Sequence, residues 1–309
     1  MTVATRRRLL LLAGVLPLAI LAAWLWTPDG DRGALEARYA TPADFRIVDG
    51  LRLHLRDRGP RSAPALLLLH GFGSSLHTWA AWEDELTRTH RVVMIDLPGA
   101  GLTGAEPERD YSDARGVRLL RALLDSLGIA RASLIGNSLG GRLAWTFAAR
   151  EPTRVDRLVL ISPDGFESDG FAYGVAPDVP PFVSAMRYVL PQAVLAASLR
   201  PAFADPARLT DSIVTRYHEL LLAPGVRTAL LDRLRQSILV PPEPLLGTIR
   251  APTLLLWGTH DSLIPYRNAA QYLAAMPNAR LHALPRVGHL PQEESPAAAL
   301  TAVRRFLGR

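Results

Sequence analysis

The sequence predicts a mostly parallel, doubly wound α/β sheet with an all-helical insertion, and three observations carry that expectation. Short apolar runs alternate with stretches of helical spacing from residue 65 onward, the rhythm of successive β-α units. The alternation stops at residue 163 and resumes at 253, with no convincing strand between. A glycine-rich turn, Gly136-Asn137-Ser138-Leu139-Gly140-Gly141, joins one buried strand to the helix after it. At 309 residues the chain can bury a full core in one domain plus an insertion.

Residues 1–30 stand apart. Arg6-Arg7-Arg8 precede residues 9–26, an 18-residue stretch without a charge, at the short end of the about 20 apolar residues that a bilayer span needs. Trp24 and Trp26 fall where an interfacial aromatic belt lies. A retained membrane anchor is favoured over a cleaved signal peptide. Cleavage near Ala22-Ala23 would require a small residue where Ile20 or Leu21 stands. With the arginines inside, the body of the chain is expected to be exported, either anchored or secreted after cleavage.

Residues 31–43 read as a linker. The core is expected at 44–162 and 248–309. It begins with strands at 45–48 and 51–55 joined at Asp49-Gly50, a two-residue hairpin signal. The run 65–69 is continuously apolar, as a strand buried on both faces requires. A helix at 80–86, a strand at 92–95 and a helix at 112–127 follow, then the strand 132–135 before the glycine turn and a strand at 158–161. Residues 163–247 show helical stretches at 182–190, 193–199, 209–222 and 226–239. They read as a cap over the C-terminal edge of the sheet, where ligands of open α/β folds bind. The start of this cap is apolar: residues 171–203 carry only Asp178, Arg187 and Arg200 as charges. That run suits helices packing on the sheet edge, a greasy acyl-binding wall, or a surface that dips into a membrane. A strand at 253–257, a helix at 268–276, a strand at 280–284, the Gly288-His289 loop and a helix from Pro296 complete the chain.

The turn Gly136-Asn137-Ser138-Leu139-Gly140 matches G-x-S-x-G between strand and helix. Such a sharp turn strains the serine backbone and holds its hydroxyl at a helix N-terminus, where N–H groups favour developing negative charge. A serine hydroxyl is a poor nucleophile until a base takes its proton and a third group orients the base. Asp261 and then His289 follow Ser138 along the chain, each after a predicted strand.

With His70-Gly71-Phe72-Gly73 upstream and Gly288-His289 downstream, the sequence resembles the serine-nucleophile α/β-hydrolase superfamily over roughly residues 44–309. It looks most like the lipase and carboxylesterase branches, with carbon–carbon bond hydrolases as near relatives. The resemblance implies Ser138 as nucleophile, His289 as base and Asp261 as the orienting acid. Backbone N–H groups of Leu139 and Phe72 would form the oxyanion hole. Asp164, in Ser162-Pro163-Asp164-Gly165, is the rival for the acid; its plainer reading is a turn residue bonded to its own backbone. His70 is then structural.

All 35 basic residues are arginines against 29 acidic ones, a formal net charge of +6. The absence of lysine removes lysine Schiff-base chemistry and the P-loop, and the absence of cysteine removes disulfides and thiolate sites. The arginines are scattered among carboxylates, which argues against nucleic acid. With no His-Glu-x-x-His or carboxylate cluster, neither metal nor other cofactor is expected. His54, His77, His90, His218 and His282 show no partner spacing, and His260 reads as a loop residue. The expected function is hydrolysis of carboxylic esters with a hydrophobic acyl group, on a small-molecule or lipid ester, with membrane contact through residues 9–26. One alternative is a carbon–carbon bond hydrolase, since Asn137 recurs in that branch, although Leu290 stands where that branch often has tryptophan. The other is a non-catalytic, hydrolase-shaped binding module.

Overall fold

The computed structural model describes residues 25–308. Eight strands form one sheet in the order β1-β2-β4-β3-β5-β6-β7-β8. They are β1 Phe45–Val48, β2 Leu51–Arg58, β3 Ala65–Leu69, β4 Arg91–Ile95, β5 Ala132–Asn137, β6 Val155–Ile161, β7 Thr253–Gly258 and β8 Ala279–Leu284. β1 runs antiparallel to β2 and β2 antiparallel to β4; every pairing from β4 to β8 is parallel. Asp49 and Gly50 both take positive φ, 49° and 78°, which closes the β1–β2 hairpin.

The continuous apolar runs have a two-sided destination. In β3, Leu67 and Leu69 enter one core while Leu66 and Leu68 enter the other, because successive side chains point to opposite faces. β5 does the same with Leu134 and Ile135. The first core packs the helices Asp113–Ser126 and Leu139–Arg150, and the second packs Ala80–Thr87 and Pro296–Leu307. Each fully buried leucine contributes about 1.5–3 kcal/mol.

Between β6 and β7 lie short helices and turns with isolated bridges, among them Gln192–Leu199, Asp211–Leu221 and Val226–Gln236. Leu190, Leu195, Tyr217, Leu220, Val226 and Leu230 gather there into a core of their own. Val175, Phe182, Tyr188 and Val194 of this cap stay exposed.

One expectation changes here. The stretch read as a linker contains a helix, Arg32–Tyr39, started by Asp31, whose side chain accepts from Ala34 N. Its Leu35 is buried in the cap core. The sequence masked this because the helix is short and buries only Leu35. The anchor expected over residues 9–26 falls almost wholly outside the described residues. Among the described residues no helix is long and apolar enough to cross a membrane.

Candidate active site

β5 ends at Asn137, and the helix Leu139–Arg150 starts one residue after Ser138. The turn demands φ 53°, ψ −119° at Ser138, a strained conformation for a residue with a Cβ. It also demands glycine on either side. A Cβ at Gly140 would lie 2.2 Å from Leu69 O, and one at Gly136 would lie 2.3 Å from Gly140 O. Ser138 N donates to Ile161 O at 2.9 Å, and Ser138 O accepts from Arg142 N at 2.9 Å and Asp164 N at 3.1 Å.

Across the same sheet edge, the loops after β7 and β8 bring Asp261 and His289 together. His289 Nδ1–H donates to Asp261 Oδ2 at 2.8 Å, and both residues are buried. That bond fixes the neutral tautomer with a lone pair on Nε2. The other carboxylate oxygen of Asp261 accepts from Leu263 N and Ile264 N, each at 2.9 Å.

Asp164 lies near enough for the charge of His289 to act on its carboxylate, but it pairs with another group. Its carboxylate lies 3.7 Å from Arg142 Nη1, and its carbonyl accepts from Trp145 Nε1 and Tyr272 OH. No hydrogen bond joins Asp164 to His289 among the described residues. Burial lifts its carboxyl above the usual range against the pull of Arg142.

The loop after β3 approaches the serine closely: a Cβ at Gly71 would meet Ser138 Cβ at 3.3 Å. Phe72, the residue expected to give one oxyanion N–H, follows directly and is 46% exposed. Leu139, expected to give the other, lines a small pocket with Leu97, Pro98, Leu143 and Arg233. His70 is occupied on both nitrogens: Nδ1–H donates to Gly71 O at 2.7 Å and Nε2 accepts from Leu97 N at 2.9 Å. A cavity of about 450 Å³ opens behind the serine helix among Trp145, Arg142, Val240 and Leu245, and none of Ser138, Asp261 and His289 lines it.

Sequence reasoning missed what braces these loops. Asp96, fully buried after β4, accepts from Leu76 N at 2.7 Å and Leu102 N at 2.8 Å, so it ties the Phe72 loop to the next one. His54 Nδ1–H donates to Asp96 Oδ2 at 2.6 Å. Burial pushes the Asp96 carboxyl up, but His54, His70 and His77 together outweigh burial and hold it well below the usual carboxylate range. His54 therefore has a partner that its sequence spacing, 42 residues from Asp96, could not reveal.

A strained serine at a strand-to-helix turn, a buried His–Asp pair and a glycine loop against the serine make up the arrangement expected of a nucleophile-elbow hydrolase site. The α/β-hydrolase fold family model matches residues 64–296, and the chain belongs to that family. An uncharacterised protein of Mycobacterium tuberculosis is 32% identical, with 85% of this chain and 80% of that protein covered. A 2-hydroxy-6-oxononadienedioate/2-hydroxy-6-oxononatrienedioate hydrolase of Burkholderia vietnamiensis is 31% identical over 85% of this chain and 94% of its own length. Among solved structures, a bacterial membrane phospholipase A is 26% identical, with a TM-score of 0.71 and 98% of each chain covered.

The expected membrane-anchored, exported placement is not kept. The curated relatives that carry an activity are named as dienoate-type hydrolases, and no described helix could cross a bilayer. Membrane contact through residues 9–26 lapses with it as a partner assignment.

Proposed function

We propose that the chain is a serine hydrolase that cleaves a bond beside a carbonyl group, with Ser138 as nucleophile, His289 as base and Asp261 as orienter. The buried His289–Asp261 bond of 2.8 Å carries this reading, because it leaves Nε2 as the acceptor a serine hydroxyl needs. Ser138 Oγ adds to the carbonyl carbon while its proton passes to His289. Leu139 and Phe72 N–H groups then bind the oxyanion. Collapse expels the leaving group, which takes the proton from His289, and water repeats the sequence to free the acid and restore Ser138.

The bond class decides the substrate. Carbon–carbon cleavage of a 2-hydroxy-6-oxo-dienoate comes first, because it is the activity named for the curated relatives, and it displaces the ester reading that the sequence alone puts first. Its leaving atom is a carbon stabilised as an enolate. Ester cleavage with a hydrophobic acyl group is the second reading, favoured by the phospholipase A likeness, which spans 98% of each chain. Its leaving atom is an oxygen, and the triad chemistry is otherwise the same.

Purified protein is to be assayed against 2-hydroxy-6-oxo-6-phenylhexa-2,4-dienoate and against p-nitrophenyl esters of increasing acyl length. Turnover of the dienoate well above that of every ester supports the first reading; the opposite order supports the second. Ser138→Ala abolishes either activity and keeps the fold, since the half-buried side chain packs little. Near wild-type turnover in that variant removes the elbow assignment altogether.

A further inference from the structure

Four residues past His289 stands a buried carboxylate, Glu293, that the proposed chemistry does not use. Its side chain is 4% exposed and takes hydrogen bonds from both halves of the molecule. From the cap helix Asp211–Leu221, Tyr217 OH donates to Oε1 at 2.9 Å and Arg216 Nη2 donates to Oε2 at 2.5 Å. From the core, Thr78 Oγ1 donates to Oε1 at 2.6 Å.

The chain of bonds continues from Thr78 to the serine. Gln292 Nε2 donates to Thr78 Oγ1 at 3.2 Å and to Asn137 Oδ1 at 3.3 Å. Asn137, directly before Ser138, donates from Nδ2 to His289 O at 3.1 Å and to Ile161 O at 3.2 Å. At the cap end, Ser74 Oγ is 3.1 Å from Tyr217 OH, so the same hydroxyl touches the loop that carries Phe72. The neighbouring Glu294 holds the histidine loop from the other side, accepting from Gly288 N at 2.6 Å and from Asp205 N of the cap at 2.7 Å.

We propose that Glu293 is a positioning residue through which the cap sets His289 and Ser138 relative to each other. The plainer account is a buried carboxylate that merely neutralises Arg216. That account needs Arg216 alone. It does not require Thr78, Gln292 and Asn137 to complete an unbroken path from the carboxylate to His289 and to the residue before the nucleophile. Because the path is buried, a displacement of the cap helix moves the histidine loop rather than dissipating in water. The proposal rests on the triad reading of Ser138 and His289 and is indifferent to which bond is cleaved.

Tyr217→Phe cuts the path on the cap side and Thr78→Val on the core side. Neither hydroxyl bonds to Ser138, Asp261 or His289, and neither change strands a charge. Full-length proteins are labelled at Ser138 with diisopropyl fluorophosphate over a concentration range, which separates the maximal labelling rate from the half-saturating concentration. Coupling predicts about a tenfold fall in maximal rate in each variant, half-saturation within about twofold, and a double variant no slower than the slower single. Thr78→Ser keeps the hydroxyl and restores the wild-type rate. Single variants within about twofold of wild type, losses that multiply in the double, or a Thr78→Ser as slow as Thr78→Val each overturn the proposal. If Ser138→Ala still takes the label, the triad reading fails instead.

Discussion

Both oxygens of Asp261 are committed before any substrate arrives, one to two backbone N–H groups and the other to His289. Asp261→Asn keeps the backbone acceptor but offers an amide N–H to Nδ1, so the imidazole is held in the wrong tautomer. A fall in kcat of about 10⁴-fold is expected, with little change in fold. Asp164→Asn, whose carboxylate lies 3.7 Å from Arg142 Nη1, is expected to stay within about tenfold of wild type. Reversed magnitudes in steady-state kinetics would move the acid to the loop after β6. His77 supplies a residue-scale prediction of stability. Burial pushes its pKa down to about 4, against the pull of Asp96. Above about pH 6.5 the imidazole is neutral in both states and contributes nothing. Between about 6.5 and 4 the unfolded chain takes up a proton that the folded chain refuses, so stability falls by about 3 kcal/mol and then levels off. Thermal melts at pH 7 and pH 4.5 should therefore show a smaller drop in His77→Gln than in wild type; an equal drop assigns the acid lability to other groups.

At the scale of elements, the turn around Ser138 is the least tolerant. Gly140→Ala would force a Cβ against the carbonyls of Leu69 and His70, both backbone atoms of β3 and its loop. The expected cost is about 3 kcal/mol or more, read as a lower denaturation midpoint, together with lost activity. A variant of normal stability would mean that this turn is looser than its geometry. The strands and the elbow were legible in the sequence because a parallel strand buried on both faces has no polar position to disguise it, as in Leu66 to Leu69. The hydrolase class was legible for a related reason, glycines, a serine, an aspartate and a histidine at loop positions, but the ester bond that the sequence put first was not what the curated relatives are named for. What was not legible depends on tertiary approach. Asp96 meets His54 across a strand pair, Glu293 meets Tyr217 across 76 residues, and nothing in local spacing marks either pairing. The Arg32–Tyr39 helix was hidden for a different reason, since a single buried leucine gives no periodicity to read.

For the molecule as a whole, the cap is held from outside as well as from below. Residues 26–39 run across it as a strap. Trp26 stacks on Tyr188 with ring centroids 5.6 Å apart, and Thr27 N donates to Tyr188 O at 2.9 Å. Gly30 N donates to Leu222 O at 2.7 Å, and Tyr39 OH donates to Glu219 at 2.5 Å. Asp29 accepts from Arg227 Nη2 at 2.7 Å, and Arg227 is only 3% exposed. The strap grips the core too, through Arg52 on Glu36 at 2.7 Å and Arg32 on Leu102 O at 3.3 Å. A cap of short helices with a small core of its own has little independent stability, so its order depends on these contacts. A protein that starts at residue 41 is compared with one that starts at residue 25. The shorter chain leaves Arg227 buried without its counter-ion and opens the cap core at Leu35. It is expected to lose about 2 kcal/mol or more, a drop in Tm of roughly 5 °C. Limited proteolysis should then cut first within 163–247 while the sheet survives, because local opening concentrates where buried contacts are few. Labelling of Ser138 should slow in the shorter protein even below its Tm, since the cap helix that carries Tyr217 also carries Glu219. Identical melting, digestion and labelling in the two proteins would show that the cap stands without the strap.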